Sequence, residues 1–233
     1  MACAPGAAHA AWLTHPQADS LLRFDWLPSL WLHPTRVAAL LPASAGTLLQ
    51  AAPNGSRAHA RLHEHWSRGL LDTLGLESLD DPHEASLCLA ALPEPAWMRL
   101  VQYGGATLAA PRLRRVIARE QLAVLGEALG TQTLEFSCGR AAHLHPGLDA
   151  ANGLPSQDLA ASCLAWGRAL LARALDAAPR PVARRGQLRL SQDSVETAPL
   201  ALAGIDAPQA LVLCMSLIEE IEPSWHSSFR AAR

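Results

Sequence analysis

The chain has 233 residues, half of them hydrophobic and 17% charged, with a formal net charge of -2. That composition supports a packed core and excludes a disordered chain. The near-neutral charge excludes a strong basic field for nucleic acid, and all 19 basic residues are arginine.

The N-terminus lacks the basic region of a secretory signal, and apolar runs such as Ala210–Ile218 are about half the roughly 20 residues a membrane helix needs. The five cysteines, at 3, 88, 138, 163 and 214, include no CxxC pair. Cytoplasmic location with reduced thiols and no direct membrane insertion is the expectation.

Residues 1–20 show no period and are expected to form a mobile N-terminal segment. From Leu21 the chain is dense in large apolar residues but cut by Pro28 and Pro34, which suggests short helical turns on a core. Pro34 can begin a short helix to Leu41, and Leu48–Gln50 is ambiguous. Ser56 reads as the N-cap of a helix over Arg57–Leu74, with Leu62, Trp66 and Leu70 at four-residue steps and Gly75 closing it. Asp81–Pro82 opens a further segment that runs to Leu92.

The centre of the chain, Pro95–Gly130, reads as helices started by Pro95 and Pro111. Gly104–Gly105 either lets two helices approach closely or breaks one of them. Arg112, Arg115 and Arg119 fall at i, i+3 and i+7 and share a helix face if no break intervenes. Thr131 can cap a short helix to Cys138, and Ser156 opens another that runs to Ala177 with Trp166 as its expected core anchor.

The stretch 178–207 is rich in proline and glycine and is expected to be loop-rich, with at most one short strand over Gln187–Ser191, where five residues alternate. The last helix starts at Ala207–Pro208. Glu219, Glu220 and Glu222 at its end oppose the macrodipole, which is a small cost or the sign of a partner. The fold class expected is all-α: an irregular multi-helix single domain over 21–230, with at most a short β element near 187–191.

Chemistry is sparse. His59, His63, Glu64 and His65 lie on one helix but complete no HExxH pattern, and a solvated face is favoured over a metal site. His143 and His145 are a loop pair without further ligands at spacing. There is no GxSxG and no phosphate loop, and Cys138 has no setting that would activate a thiol. No catalytic residue, cofactor or metal is assigned. Arg112, Arg115 and Arg119 are the candidate partner interface, weighed against a plain solvated face.

An ordered series of short pieces carries a resemblance over residues 21–230. It comprises Leu22-Arg-Phe, Leu27-Pro-Ser-Leu-Trp, Asp81-Pro82-His83, Leu89-Ala-Ala-Leu-Pro, Arg114-Arg115 and Leu164-Ala-Trp166, then Leu188-Arg-Leu190 and the run from Leu213 to Phe229. In these the chain resembles the type III secretion accessory proteins of the SctK/YscK family. The resemblance implies a non-enzymatic cytoplasmic adaptor of the injectisome's sorting platform. Its implied partners are the cytoplasmic domain of the inner-membrane ring protein (SctD-like) and the C-ring or pod protein (SctQ-like), and through the latter the stator and ATPase. Residues 1–20 and 192–206 match nothing in that pattern. A histidine-based metal-dependent hydrolase and a secretion chaperone are the competing readings.

Overall fold

The computed structural model describes residues 8–148, 158–202 and 204–230, and among them every regular element is helical. In chain order these are α1 (Ala8–Thr14), α2 (Ala18–Trp26), a 3-10 turn (Pro28–Trp31), α3 (Pro34–Leu40), α4 (Ala45–Ala51), α5 (Arg57–Leu74) and α6 (Leu87–Ala90). There follow α7 (Glu94–Leu113), α8 (Arg119–Leu129), α9 (Thr131–Cys138), α10 (Ala141–Leu144), α11 (Leu159–Leu175), α12 (Arg180–Gln187), α13 (Gln192–Ala201), α14 (Ala207–Ile221) and α15 (Pro223–Arg230). Within this all-α fold the backbone divides into two compact units. One is built from Met1–Ala91, Ala178–Gln192 and Ser228–Arg233, the other from Leu92–Ala177 and Asp193–Ser227.

In the first unit, α5 begins and ends as its sequence dictates. Ser56 Oγ accepts from the His59 N–H at 3.2 Å, and Gly75 takes the left-handed conformation at φ 53°. Trp66 and Leu70 on α5 pack with Leu41 and Ala45, and Leu32, Val37, Leu40 and Leu62 close around them. A proline sits in the first turn of both α3 and α12, where its missing N–H has no helical acceptor to lose.

Three arginines from the 178–192 segment then tie this unit together. Arg184 donates to the carbonyls of Leu74 and Gly75 at the end of α5. Arg185, 2% exposed, pairs with Asp25 Oδ1 at 3.0 Å and donates to the Glu77 carbonyl at 2.6 Å. Arg189 donates to the Ala90 carbonyl at 3.0 Å and lies 4.6 Å over the Trp31 ring. Desolvation lowers the pKa of Arg185, and the Asp25 carboxylate opposes that shift.

The short β element allowed for at Gln187–Ser191 does not form. Gln187 ends α12, and the residues after it turn. The alternation misled because Arg189 is as buried as Leu188 and Leu190, so no polar face exists there. The loop-rich reading of 178–207 is corrected as well, since α12 and α13 occupy most of it.

Part of the N-terminal segment is helical. Residues 1–7 lie outside the described residues, but α1 begins at Ala8. Trp12 and His15 are buried, with the His15 ring 4.8 Å from Phe229. Trp12 and His15 anchor this segment, while Leu13 is left exposed, so its apolar residues show no regular stripe.

In the second unit, α7 runs unbroken for 20 residues through Gly104, Gly105 and Pro111. The glycines mark close approach: a Cβ on Gly105 would lie 1.8 Å from the Cys163 carbonyl oxygen of α11. Gly167 of α11 meets the Val101 carbonyl in the same way, at 1.9 Å. Beside this contact Trp166 is fully buried, as its position on the apolar stripe requires. A capping box between Asp206 and Gln209 starts α14.

Candidate partner-docking surfaces

The arginine row does not form one helix face. α7 stops at Leu113, residues 114–118 are irregular, and α8 starts at Arg119. Arg112, half-buried, lays its guanidinium 4.9 Å over the Trp166 ring. Arg114 donates through Nε and Nη2 to the Ser137 carbonyl, tying the end of α7 to α9. Arg115 and Arg119 are exposed, and Ile117 between them is 89% exposed. The spacing rule assumed helix continuity, and the turn at 114–118 removes it.

Of the histidines on α5, His65 is exposed and His59 partly so, but His63 does not lie on a solvated face. His63 is buried, and its Nδ1 is 2.8 Å from Ser29 Oγ. That hydroxyl donates to the His63 carbonyl and shares a 2.8 Å hydrogen bond with Ser67. Burial, aided by the neighbouring His59, lowers the His63 pKa to about 4, so the ring is neutral. The cluster fastens the 3-10 turn to α5. Across the described residues, no group of three His, Cys, Asp or Glu side chains is arranged to hold a metal ion. His143 is exposed, and His145 Nδ1 accepts from the Gly147 N–H at 2.9 Å. Cys163 is buried, which pushes its thiol up to about 12, while Cys138 is exposed. The glutamates ending α14 are answered within the chain: Glu220 pairs with Arg140 and Glu222 with Arg99.

A second surface, which the sequence reading did not single out, lies on the first unit. α2 turns Leu21, Phe24 and Asp25 inward. Its opposite side carries Leu22 and Trp26 into a shallow groove against α5. Leu27 and Leu71 complete the apolar lining, Asp19, Arg23, Glu64 and Arg68 line it too, and its volume is about 580 Å³. Trp26 is 54% exposed, whereas the other six of the chain's seven tryptophans are buried or partly so. In sequence only the Asp19/Arg23 pair of opposite charge stands beside Leu22 and Trp26; Glu64 and Arg68 reach them through the fold.

Among the described residues the chain is a helical protein whose first unit is tied together by internal arginine contacts. A family model described as YOP proteins translocation protein K (YscK) matches residues 18–230. The chain belongs to the YscK family and is a component of type III secretion. No curated protein and no solved structure gives a significant match. No helix among the described residues is long and apolar enough to cross a membrane.

Proposed function

We propose that this chain is a non-enzymatic adaptor of the secretion apparatus, working at the cytoplasmic face of the inner membrane as part of the sorting platform. It joins the cytoplasmic domain of the inner-membrane ring protein (SctD-like) to the pod protein (SctQ-like), and through the latter to the stator and ATPase. Family membership supports the secretion role.

The observation that carries the docking role is the turn between α7 and α8, where Arg115 and Arg119 flank the 89% exposed Ile117. Such a turn suits an acidic partner surface with an apolar recess, because arginine pairs carboxylates bidentately while the aliphatic side chain is desolvated. Arg112 is not part of this surface, because its guanidinium is engaged with Trp166.

The test is binding of the purified ring-protein cytoplasmic domain and the purified pod protein to wild-type chain and to an Arg115→Glu/Ile117→Asp/Arg119→Glu variant. Wild type is expected to bind both, and the variant to lose one and keep the other. Failure of the wild type to bind either protein would remove the adaptor reading, and equal binding by the variant would remove this surface from it.

A further inference from the structure

We infer that the groove between α2 and α5 is the docking site for an amphipathic helix of a protein partner, with Trp26 as its anchor. The first observation is that α2 has two apolar sides. Leu21 and Phe24 are fully buried, so the core is served without Leu22 and Trp26, which stand one helical turn apart in the groove. A surface helix needs one apolar stripe, and a second one is left over for something else to cover.

The second observation concerns tryptophan. The structure encloses the other indoles wholly or in part and leaves Trp26 54% exposed beside Leu22, Leu27 and Leu71. Tryptophan is the residue most enriched among those that dominate protein interfaces, and it does so when ringed by groups that exclude water. Here that ring is Asp19, Arg23, Glu64 and Arg68.

The charge pattern selects the occupant. Each helical wall presents one carboxylate and one guanidinium a single turn apart, and Asp19 and Arg23 already pair at 3.1 Å on the exposed side of α2. A helix laid between two helices presents its own flanking positions to both walls, as the charged positions beside a coiled-coil seam do. The fitting partner therefore has an apolar stripe of three- and four-residue spacing, flanked by charges of both signs. The mixed charge of the rim disfavours an anionic lipid surface, which calls for a basic field.

This assignment rests on the adaptor reading for its choice of probes, the purified ring-protein cytoplasmic domain and the purified pod protein. Trp26→Ala and, separately, Leu22→Asp are expected to weaken binding of one of them by about 30-fold, with circular dichroism and the thermal midpoint close to wild type. A benzophenone side chain placed at position 26 is expected to cross-link to a single segment of that partner with helical apolar spacing. Wild-type chain that binds neither protein overturns the adaptor reading and this partner with it. Wild-type binding that both variants retain at full affinity overturns the groove alone. Cross-links confined to the chain itself, to a second copy, or to phosphatidylethanolamine–phosphatidylglycerol vesicles assign the groove to those occupants and overturn it likewise.

Discussion

A methyl group on Gly105 would sit 1.8 Å from the carbonyl oxygen of Cys163. The obstruction is backbone, so no rotamer change relieves it, and α7 and α11 would have to separate. Gly105→Ala is expected to cost about 3 kcal/mol or more, at the upper end of overpacking. Gly69→Ala, on an exposed turn of α5 with open space around it, should be neutral or stabilise by about 0.5–1 kcal/mol. Urea melts of the two variants side by side check the contrast, and equal midpoints would contradict it.

Asp25 and Arg185 form a buried pair, and each has further polar partners: Asp25 Oδ1 also accepts from the Leu79 N–H at 3.1 Å. Removing the carboxylate leaves a desolvated guanidinium. Asp25→Ala is expected to destabilise by about 3–5 kcal/mol, while Asp25→Asn keeps an acceptor and loses less. Thermal unfolding of both variants measures the difference.

The His63 ring is held neutral with its pKa near 4, below the ordinary value of 6.5. A proton therefore binds the unfolded chain more readily than the folded one. The resulting stability is present above pH 6.5 and is lost as pH falls from 6.5 through 4, by roughly 3 kcal/mol in full. Buried His15 shifts in the same direction. Denaturant unfolding at pH 7 and pH 5 should show wild type weakening on acidification and His63→Gln weakening less; parallel profiles would show that His63 does not carry the effect.

Arg112 differs in kind from the arginines it was grouped with. Its guanidinium covers the fully buried Trp166 indole, so Arg112→Ala is expected to cost about 1–2 kcal/mol. Arg115→Glu and Arg119→Glu should each change stability by no more than about 0.5 kcal/mol. Differential scanning calorimetry of the three single variants separates them.

The helical class, the limits of α5 and the start of α14 were legible in the sequence because each carries a local signal: Ser56 and Gly75, and Ala207–Pro208. α9 spans the expected Thr131–Cys138, but Thr131 is its first helical residue and Gly130 takes the cap position. Trp166 could be placed in the core because it falls on a regular stripe. What could not be read locally depends on distant partners. Arg189 became a core residue only by reaching the Ala90 carbonyl and the Trp31 ring. Gly104–Gly105 continued a helix rather than breaking it because α11 packs against them. The turn at 114–118 carries no glycine and no proline, so nothing in the spacing of Arg112, Arg115 and Arg119 announced the break. The groove at Trp26 escaped notice because a second apolar side on α2 reads, in sequence, as simple hydrophobic density.

The discontinuity of the first unit fixes an order of events on the ribosome. Asp25 and Phe24 are made early, but Arg185 is 160 residues further along the chain than Asp25. At synthesis rates of roughly 5–20 residues per second, the carboxylate waits on the order of 10–30 s for its guanidinium. The whole stretch Leu92–Ala177 emerges in the interval. The nascent N-terminal helices therefore spend that time without their closing clamp, and a chain released before residue 185 has no means of completing them.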